Sequence, residues 1–356
     1  MTDRHPDTRV VHAGLPEARD GTPFLPGPTF AAPFHLAGPA DASAYGYGRY
    51  ANPTWTAYEQ AIGELEGGIA VAFSSGMAAV SAVTAPALRA GDVLVAPSDG
   101  YPGIRAVARD VLEPHGVEVR LVPTRDDAVR DAIGGATMVW LESPSNPGLD
   151  VLGIRELAAA AHDGGATVVV DNTLAGPLRQ RPLDLGADVS VTSASKHLSG
   201  HSDLVLGVAA VRDEARAEAL RTWRGTAGSI PGPFEAWLAH RSLATLAVRL
   251  ERQEANARAI ADALRARDDV TDVRWPEVGS VVCFDLGSAA RADAVLAACT
   301  VIAQATSFGG VHSNAERRAR WGTDAVSEGY IRLSAGIEAA TDLVADLERA
   351  LSLSRP

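Results

Sequence analysis

Short apolar runs alternate with amphipathic segments of helical spacing throughout residues 69–211. This alternation constrains the fold most, because strands that alternate with helices form a mostly parallel sheet with helices on both faces. The strands are near-continuously apolar, as in Val168-Val169-Val170, which is typical of a sheet buried on both sides. The predicted strands are Ile69–Phe73, Val93–Ala96, Val117–Val122, Thr137–Leu141, Ala166–Val170, Val189–Thr192 and Val205–Val211. The predicted helices between them are Met77–Leu88, Gly103–Leu112, Asp126–Ile133 and Gly153–His162.

The segments on either side of this alternation have different patterns. Pro23–Pro39 predicts an extended arm, and Tyr58, Ile62 and Leu65 predict a helix that ends at Gly67-Gly68. We therefore expect an arm at 1–50, a large α/β domain at 51–233 and a smaller α+β domain at 234–356. The predicted C-terminal elements are a long helical stretch at about Phe234–Arg267, strands near Val270–Val273, Val278–Leu286 and Cys299–Ala303, and helices at Ala290–Ala298 and Ile337–Leu351.

Composition excludes several classes of function. The net charge of −12 argues against binding a nucleic-acid backbone, which requires a basic surface. The longest apolar runs are strand-sized, well short of the ~20 residues of a membrane span. Two cysteines, Cys283 and Cys299, predict no disulfide framework. With no secretory pattern at the N-terminus, we expect a cytoplasmic protein with no metal site, no nucleic-acid partner and no membrane partner.

Polar side chains follow the predicted strands at the points where ligands bind in such a sheet. Ser75-Gly76-Met77 opens a helix after the first strand, which favours a phosphate site. Asn146 and Asp171 follow two later strands, and Ser193-Ala194-Ser195-Lys196 follows a third. A lysine, a carboxylate, a phosphate cradle and a covering aromatic such as Tyr101 are what pyridoxal 5′-phosphate requires. The sequence therefore predicts a pyridoxal-phosphate site.

Longer motifs extend this interpretation to nearly the whole chain, from about Asp7 to Leu351. The chain resembles the Cys/Met-metabolism family of pyridoxal-phosphate enzymes, which includes cystathionine lyases and synthases. Within it, Ser193–Lys196 followed by Gly200-His201-Ser202-Asp203 is the most specific segment. The other segments that carry the resemblance are Tyr45–Thr54, Phe73–Val80, Asp171–Thr173, Pro182–Asp188 and Arg332–Glu338.

The resemblance implies a fold type I architecture and a role for each candidate residue. Lys196 would form the Schiff base and shuttle protons, Tyr101 would cover the ring and act as an acid or base, and Asp171 would pair with the pyridine nitrogen. Ser75, Gly76, Met77, Ser193 and Ser195 would hold the phosphate. Tyr47 and Arg49 would reach the phosphate of a neighbouring subunit, which implies a homotetramer of dimers with shared sites. Asn146, Ser307, Arg332 and, at the distal end, His312 would bind the substrate.

Several residues depart from the family pattern. Ser195 stands where the family usually has Thr, and His197 replaces a Tyr after the lysine. His312 replaces an acidic residue near the distal end of the substrate, so we expect this position to affect substrate choice. A loop is shorter than usual between Trp275 and Val278, and the segment after Tyr101 lacks the cysteine of methionine γ-lyases.

The resemblance implies a lyase that acts on a sulfur amino acid, with cystathionine γ-lyase as the first expectation. The alternatives are γ-replacement, as in cystathionine γ-synthase or an O-acyl- or O-phosphohomoserine sulfhydrylase, and β-elimination, as in cystathionine β-lyase. A non-catalytic protein that keeps the fold is a further alternative, which the complete set of cofactor ligands disfavours.

Overall fold

The structure, a computed structural model, describes residues 4–39 and 41–354. Its strands, in chain order, are β1 Ile69–Phe73, β2 Val93–Pro97, β3 Glu118–Val122, β4 Met138–Glu142, β5 Thr167–Asp171, β6 Val189–Thr192, β7 Gly207–Val211, β8 Thr271–Arg274, β9 Val281–Asp285, β10 Ala303–Gln304, β11 Asn314–Arg317 and β12 Tyr330–Ser334. Its α-helices are α1 Pro6–His12, α2 Pro53–Glu66, α3 Gly76–Thr84, α4 Pro102–Val107, α5 Asp126–Ala132, α6 Ile154–Asp163, α7 Glu214–Ala227, α8 Pro233–Leu243, α9 Leu246–Arg265, α10 Ala289–Ala298 and α11 Ala340–Leu353.

A large sheet organises the first two thirds of the described chain. Its strand order is β1-β7-β6-β5-β4-β2-β3, and β7 runs antiparallel to both of its neighbours. The remaining pairs are parallel, so the carboxyl ends of β2, β4, β5 and β6 share one edge. Strands β2, β4 and β6 are buried along their whole length, as their apolar runs predict. The expected fold, a mostly parallel α/β sheet with a smaller second sheet, is confirmed.

The second sheet has the strand order β10-β11-β12-β9-β8. Two of its strands, β11 and β12, are not among the predicted elements. The strand predicted near Cys299–Ala303 begins only at Ala303, as β10, because the backbone N–H groups of Thr300, Val301 and Ile302 donate to the Asp346 carboxylate instead of a neighbouring strand. Helix α11 begins at Ala340 instead of Ile337, because the Ile337 N–H donates to the Val311 carbonyl.

The helical stretch predicted at Phe234–Arg267 is confirmed, and it consists of two helices, α8 and α9. Thr245 lies between them with ψ near 5°, and its hydroxyl donates to the Ser242 carbonyl at 3.2 Å. The buried Arg249 guanidinium donates to the same carbonyl at 3.0 Å. Side-chain donors therefore take the carbonyl that a continuous helix would use.

Several remaining differences concern helices. The helices α1 and α7 were not predicted, while the predicted helix Gly103–Leu112 begins one residue earlier, at Pro102, and passes into a π-helical turn at Ala108–Leu112.

Residues of α8 and the start of α9 share one apolar core with α2 and β1, including Tyr58, Ala239 and Leu250. The C-terminal helices therefore begin on the large sheet and end on the small one, where Ile260 and Leu264 pack.

Candidate functional site

A cavity of about 690 Å³ lies at the carboxyl edge of the large sheet, where the segment 303–332 of the second sheet closes over it. Twelve of the fourteen predicted site residues line it. They are Ser75, Gly76, Met77, Tyr101, Asn146, Asp171, Ser193, Ser195, Lys196, Ser307, His312 and Arg332. Tertiary structure thus brings together residues from strand ends that are up to 257 positions apart (75 to 332) in the sequence.

Lys196 lies in the loop after β6, with its ammonium donating to the Ser307 hydroxyl at 2.6 Å. Its Nζ also lies 5.1 Å from the centroid of the Phe308 ring. Burial, with a further contribution from the positive charge of Arg332, lowers the pKa of Lys196 to about 8. Ser307 itself has φ of +80°, a left-handed conformation that is uncommon for a residue with a side chain. Such strain is typical of functional sites.

Asp171 ends β5, where it pairs in register with Glu142 of β4. Its Oδ1 accepts the Thr173 N–H at 3.0 Å. Burial raises the pKa of Asp171, and the bonds from Thr173 oppose that shift. A buried carboxylate of this kind can accept a hydrogen bond from a protonated ring nitrogen. The positive charge of that nitrogen would favour the ionised form of the carboxylate.

The N-terminus of α3 forms the opposite end of the cavity. Ser75 caps the helix by accepting the Ala78 N–H at 3.0 Å. The N–H groups of Gly76 and Met77 precede the first intrahelical bond, which Ala79 donates to the Ser75 carbonyl. They are therefore available to an anion. A Cβ on Gly76 would lie 2.9 Å from the Cβ of Ser193, so glycine is needed to leave this space open.

Two hydroxyls that line the cavity, those of Ser195 and Thr173, make different hydrogen bonds. The Ser195 hydroxyl donates to the Leu206 carbonyl at 3.1 Å and accepts the Leu206 N–H at 2.9 Å. Thr173, which sequence reasoning gave no role, accepts the Ser193 N–H at 2.9 Å and also lines the cavity. The cavity therefore brings together a helix N-terminus, hydroxyls, a carboxylate and a lysine. This donor set fits the phosphate, ring nitrogen and aldehyde of pyridoxal 5′-phosphate.

Arg332 projects from β12 and is buried. Its guanidinium donates to Asn146 Oδ1 at 2.7 Å, to the Ser307 carbonyl at 3.2 Å and to Glu316 Oε1 at 2.5 Å. Burial and the neighbouring Arg318 lower its pKa to about 10, where it stays positively charged at neutral pH. A guanidinium held by three acceptors has a fixed orientation and is suited to bind a carboxylate.

Sequence reasoning missed the carboxylate that holds this arginine. Glu316 is 1% exposed, and its Oε1 accepts from Arg332, Arg318 and the Thr306 hydroxyl. Its Oε2 accepts from Arg320 and from the Trp321 indole. Arg318, which lines the cavity, is held in addition by Asp324. The only local signal is the cluster of arginines that follows Glu316 in the sequence, and such a cluster is equally typical of a solvent-exposed surface.

Tyr101 caps α4 and is 40% exposed. Burial of the remainder and the negative charge of Asp171 raise the pKa of its hydroxyl, so it holds its proton at neutral pH. Its backbone N–H donates to Glu142 at 2.7 Å. Glu142 is a further residue that the sequence analysis left without a role, although it ends the apolar strand β4.

Three residues singled out by the family pattern have different surroundings. His312 lines the cavity and is exposed. His197 is buried, shares a hydrogen bond of 2.9 Å with the Ser280 hydroxyl, and has its pKa lowered to about 4 by burial. Trp275 is buried, and its indole donates to the Gly279 carbonyl at 3.1 Å, which closes the short segment at 275–279.

Tyr47 and Arg49 do not lie among the described residues that line the cavity. Arg49 donates to the Gly225 carbonyl at 2.9 Å, and its guanidinium lies 4.5 Å from the centroid of the Tyr50 ring. Tyr47 is 46% exposed. Neither residue therefore contributes to the cavity of its own chain.

Known proteins share this fold and sequence over nearly the whole chain. Residues 7–352 match the family described as Cys/Met metabolism PLP-dependent enzyme. A protein of Streptomyces coelicolor named putative cystathionine gamma-lyase is 54% identical, over 97% of this chain and 93% of its own. The cystathionine beta-lyase of Coxiella burnetii is 36% identical, over 98% of both chains.

A solved structure agrees with this result. The cystathionine gamma synthase of Xanthomonas oryzae pv. oryzae, solved with aminoacrylate and cysteine, superposes with a TM-score of 0.93 at 32% identity, over 98% of both chains. Among residues 4–39 and 41–354, no helix is long and apolar enough to cross a membrane. The sequence match and the cavity together lead to one conclusion: this chain belongs to the pyridoxal-phosphate-dependent enzymes of cysteine and methionine metabolism.

Proposed function

We propose that the protein is a cystathionine γ-lyase, which converts L-cystathionine to cysteine, 2-oxobutanoate and ammonia. The observation that carries the proposal is the position of Lys196, with its lowered pKa, in one cavity with Asp171 and the buried Arg332. The 54% identity to the putative cystathionine gamma-lyase of Streptomyces coelicolor supports the choice of reaction.

Arg332, Lys196 and Tyr101 have different roles in the proposed reaction. Arg332 binds the α-carboxylate of the substrate, with Asn146 and Glu316 fixing its orientation. When bound, pyridoxal phosphate supplies an electron sink for negative charge at the substrate's α-carbon. Lys196 removes and returns protons at Cα and Cβ, for which a pKa of about 8 is suitable near neutral pH. Tyr101, which keeps its proton, donates it to the departing γ-thiolate.

Replacement at Cγ is the second candidate. The steps up to departure of the γ-substituent are common to elimination and replacement, and a related fold belongs to a cystathionine gamma synthase. In replacement a second thiol adds at Cγ. In elimination Cγ takes up a proton instead, and water hydrolyses the released enamine to 2-oxobutanoate and ammonia.

A product assay on the holoenzyme separates the reactions. With cystathionine alone, we expect 2-oxobutanoate and cysteine in equal amounts. Pyruvate with homocysteine would instead indicate β-elimination. Efficient formation of cystathionine from cysteine and an O-substituted homoserine, with little 2-oxobutanoate, would indicate γ-replacement and would overturn the proposal.

We also propose a homotetramer built from dimers, in which Tyr47 and Arg49 complete the neighbouring subunit's phosphate site. Neither residue lines the cavity of its own chain, and this supports the arrangement. A cytoplasmic location and the division into an arm at 1–50 and domains at 51–233 and 234–356 remain part of the proposal. The two free cysteines support a reducing compartment.

A further inference from the structure

Glu142 ends β4 with its side chain in the wall of the cavity, where it is 4% exposed. One carboxylate oxygen, Oε2, accepts the Tyr101 N–H at 2.7 Å. The other, Oε1, accepts the Asn146 N–H at 2.7 Å. A single buried carboxylate thus joins two loops that follow different strands, β2 and β4.

Both loops carry side chains that face the substrate in the proposed function. Tyr101 is the proposed acid, and Asn146 accepts a hydrogen bond from the Arg332 guanidinium. We propose that Glu142 is a positioning residue, which holds Tyr101 and Asn146 at a fixed separation across the cavity and requires its negative charge to do so. The inference depends on the proposed function only for the roles of Tyr101 and Arg332.

The requirement for charge follows from the number of donors. An ionised carboxylate accepts at both oxygens and makes strong bonds to N–H groups. A glutamine in the same place has one acceptor oxygen, so its amide nitrogen would face one of the two N–H groups. One loop would then lose its attachment, although the shape of the side chain is almost unchanged.

A neighbouring glycine supplies an independent observation. A Cβ on Gly100 would lie 2.5 Å from Glu142 Oε2, so the carboxylate reaches Tyr101 because residue 100 has no side chain. The variant Gly100→Ala would therefore displace the carboxylate and keep its charge, whereas Glu142→Gln removes the charge and keeps the shape.

The charge of Glu142 also affects Tyr101. Burial and the negative charge of Asp171 on β5 raise the pKa of Glu142. The N–H bonds from Tyr101 and Asn146 and the positive charge of Arg105 on α4 act in the opposite direction and favour the ionised form. Burial and Asp171 raise the pKa of Tyr101, and Glu142 raises it further. Removal of the Glu142 charge should therefore lower the pKa of Tyr101, so the loss of activity at high pH should begin at a lower pH.

The test compares the wild-type holoenzyme with Glu142→Gln, Gly100→Ala and the matched control Glu66→Gln, another buried carboxylate that does not line the cavity. The measurements are the visible circular dichroism of the bound cofactor, the affinity of the apoenzyme for pyridoxal phosphate, and kcat/KM for cystathionine against pH. For both test variants we expect altered ellipticity and a fall in kcat of about tenfold, as expected when a positioned group moves.

The pH profile separates the two parts of the proposal. The decline of kcat/KM at high pH, the basic limb of the profile, should move to lower pH in Glu142→Gln and stay in place in Gly100→Ala. Glu66→Gln should resemble the wild type in every measurement. Wild-type ellipticity, kcat and basic limb in a folded Glu142→Gln would overturn the inference. If that variant does not fold, a wild-type kcat and ellipticity in Gly100→Ala would overturn it. If the wild type fails to cleave cystathionine, the ellipticity and cofactor affinity still decide the role of Glu142.

Discussion

At the scale of the residue, burial turns an ordinary lysine into a reactive one. Lys196 makes one hydrogen bond to a neutral hydroxyl and lies near the positively charged Arg332, and the negative charge of Glu316 offsets only part of the effect of burial. The charged form of the amine is therefore disfavoured, and its pKa falls to about 8.

This shift predicts the pH dependence of cofactor attachment. The attacking species is the neutral amine, so the rate at which apoenzyme and pyridoxal phosphate join covalently should rise about tenfold per pH unit below pH 8 and level off above it. Stopped-flow absorbance would measure the rate. The control Lys196→Ala should give no borohydride-reducible attachment and no turnover. A rate that keeps rising to pH 10 would show an unshifted lysine.

His312 predicts the specificity for the distal end of the substrate. It lines the cavity where the family usually has an acid, and a histidine offers less attraction to a distal ammonium. His312→Glu should raise kcat/KM for cystathionine relative to a γ-substrate without the distal amino group, by roughly fivefold for a gain of about 1 kcal/mol. His312→Gln is the neutral control and should leave the ratio unchanged. An unchanged ratio in both variants would exclude His312 as a specificity residue.

At the scale of the element, the ends of the parallel strands place the chemistry. Strands β4, β5 and β6 are parallel neighbours, so the residues that follow them emerge at one edge and meet there. Helix α3 presents its N-terminus to the same edge, with the N–H groups of Gly76 and Met77 ahead of the first intrahelical bond.

Gly76→Ala tests the role of this helix end. The added methyl group would lie 2.9 Å from the Cβ of Ser193 and would narrow the space between the helix and the loop after β6. We expect the affinity of the apoenzyme for pyridoxal phosphate to fall about tenfold, which corresponds to about 1.4 kcal/mol. Gly134→Ala, at a glycine with open space around it, is the matched control and should bind the cofactor normally. Equal affinities for the two variants would contradict a phosphate site at α3.

At the scale of the whole molecule, the position of the arm makes oligomerisation part of the catalytic hypothesis. Tyr47 and Arg49 lie away from the cavity of their own chain, and Tyr47 and Tyr50 are exposed. If these residues complete a neighbour's site, each active site requires two chains.

Mixed oligomers test this arrangement. Arg49→Ala and Lys196→Ala should each be nearly inactive alone. After subunit exchange, the mixture should regain activity, because some sites then combine an intact Arg49 from one chain with an intact Lys196 from the other. The assay is 2-oxobutanoate release before and after exchange, with exchange verified by native mass spectrometry. Verified exchange without regained activity would indicate that Arg49 serves its own subunit.

The sequence by itself determined the large sheet and most of the site, because the signals were local. Apolar runs predicted the strands, and Asp171 and Lys196 stand directly after such runs, where a parallel sheet must bring them together. The strand β12 was missed because it pairs with β9, which is distant in the sequence. The break at Thr245 depends on side-chain bonds to the Ser242 carbonyl, which apolar periodicity does not indicate.

The carboxylates Glu142 and Glu316 needed the tertiary structure. Glu142 bonds to Tyr101, 41 residues away, and Glu316 bonds to Arg332 across paired strands. Sequence periodicity indicates which residues are buried in an element. It carries no information about which buried carboxylate meets which donor, because that choice is made when separate elements pack. The structure therefore decided how the predicted catalytic residues are held in place.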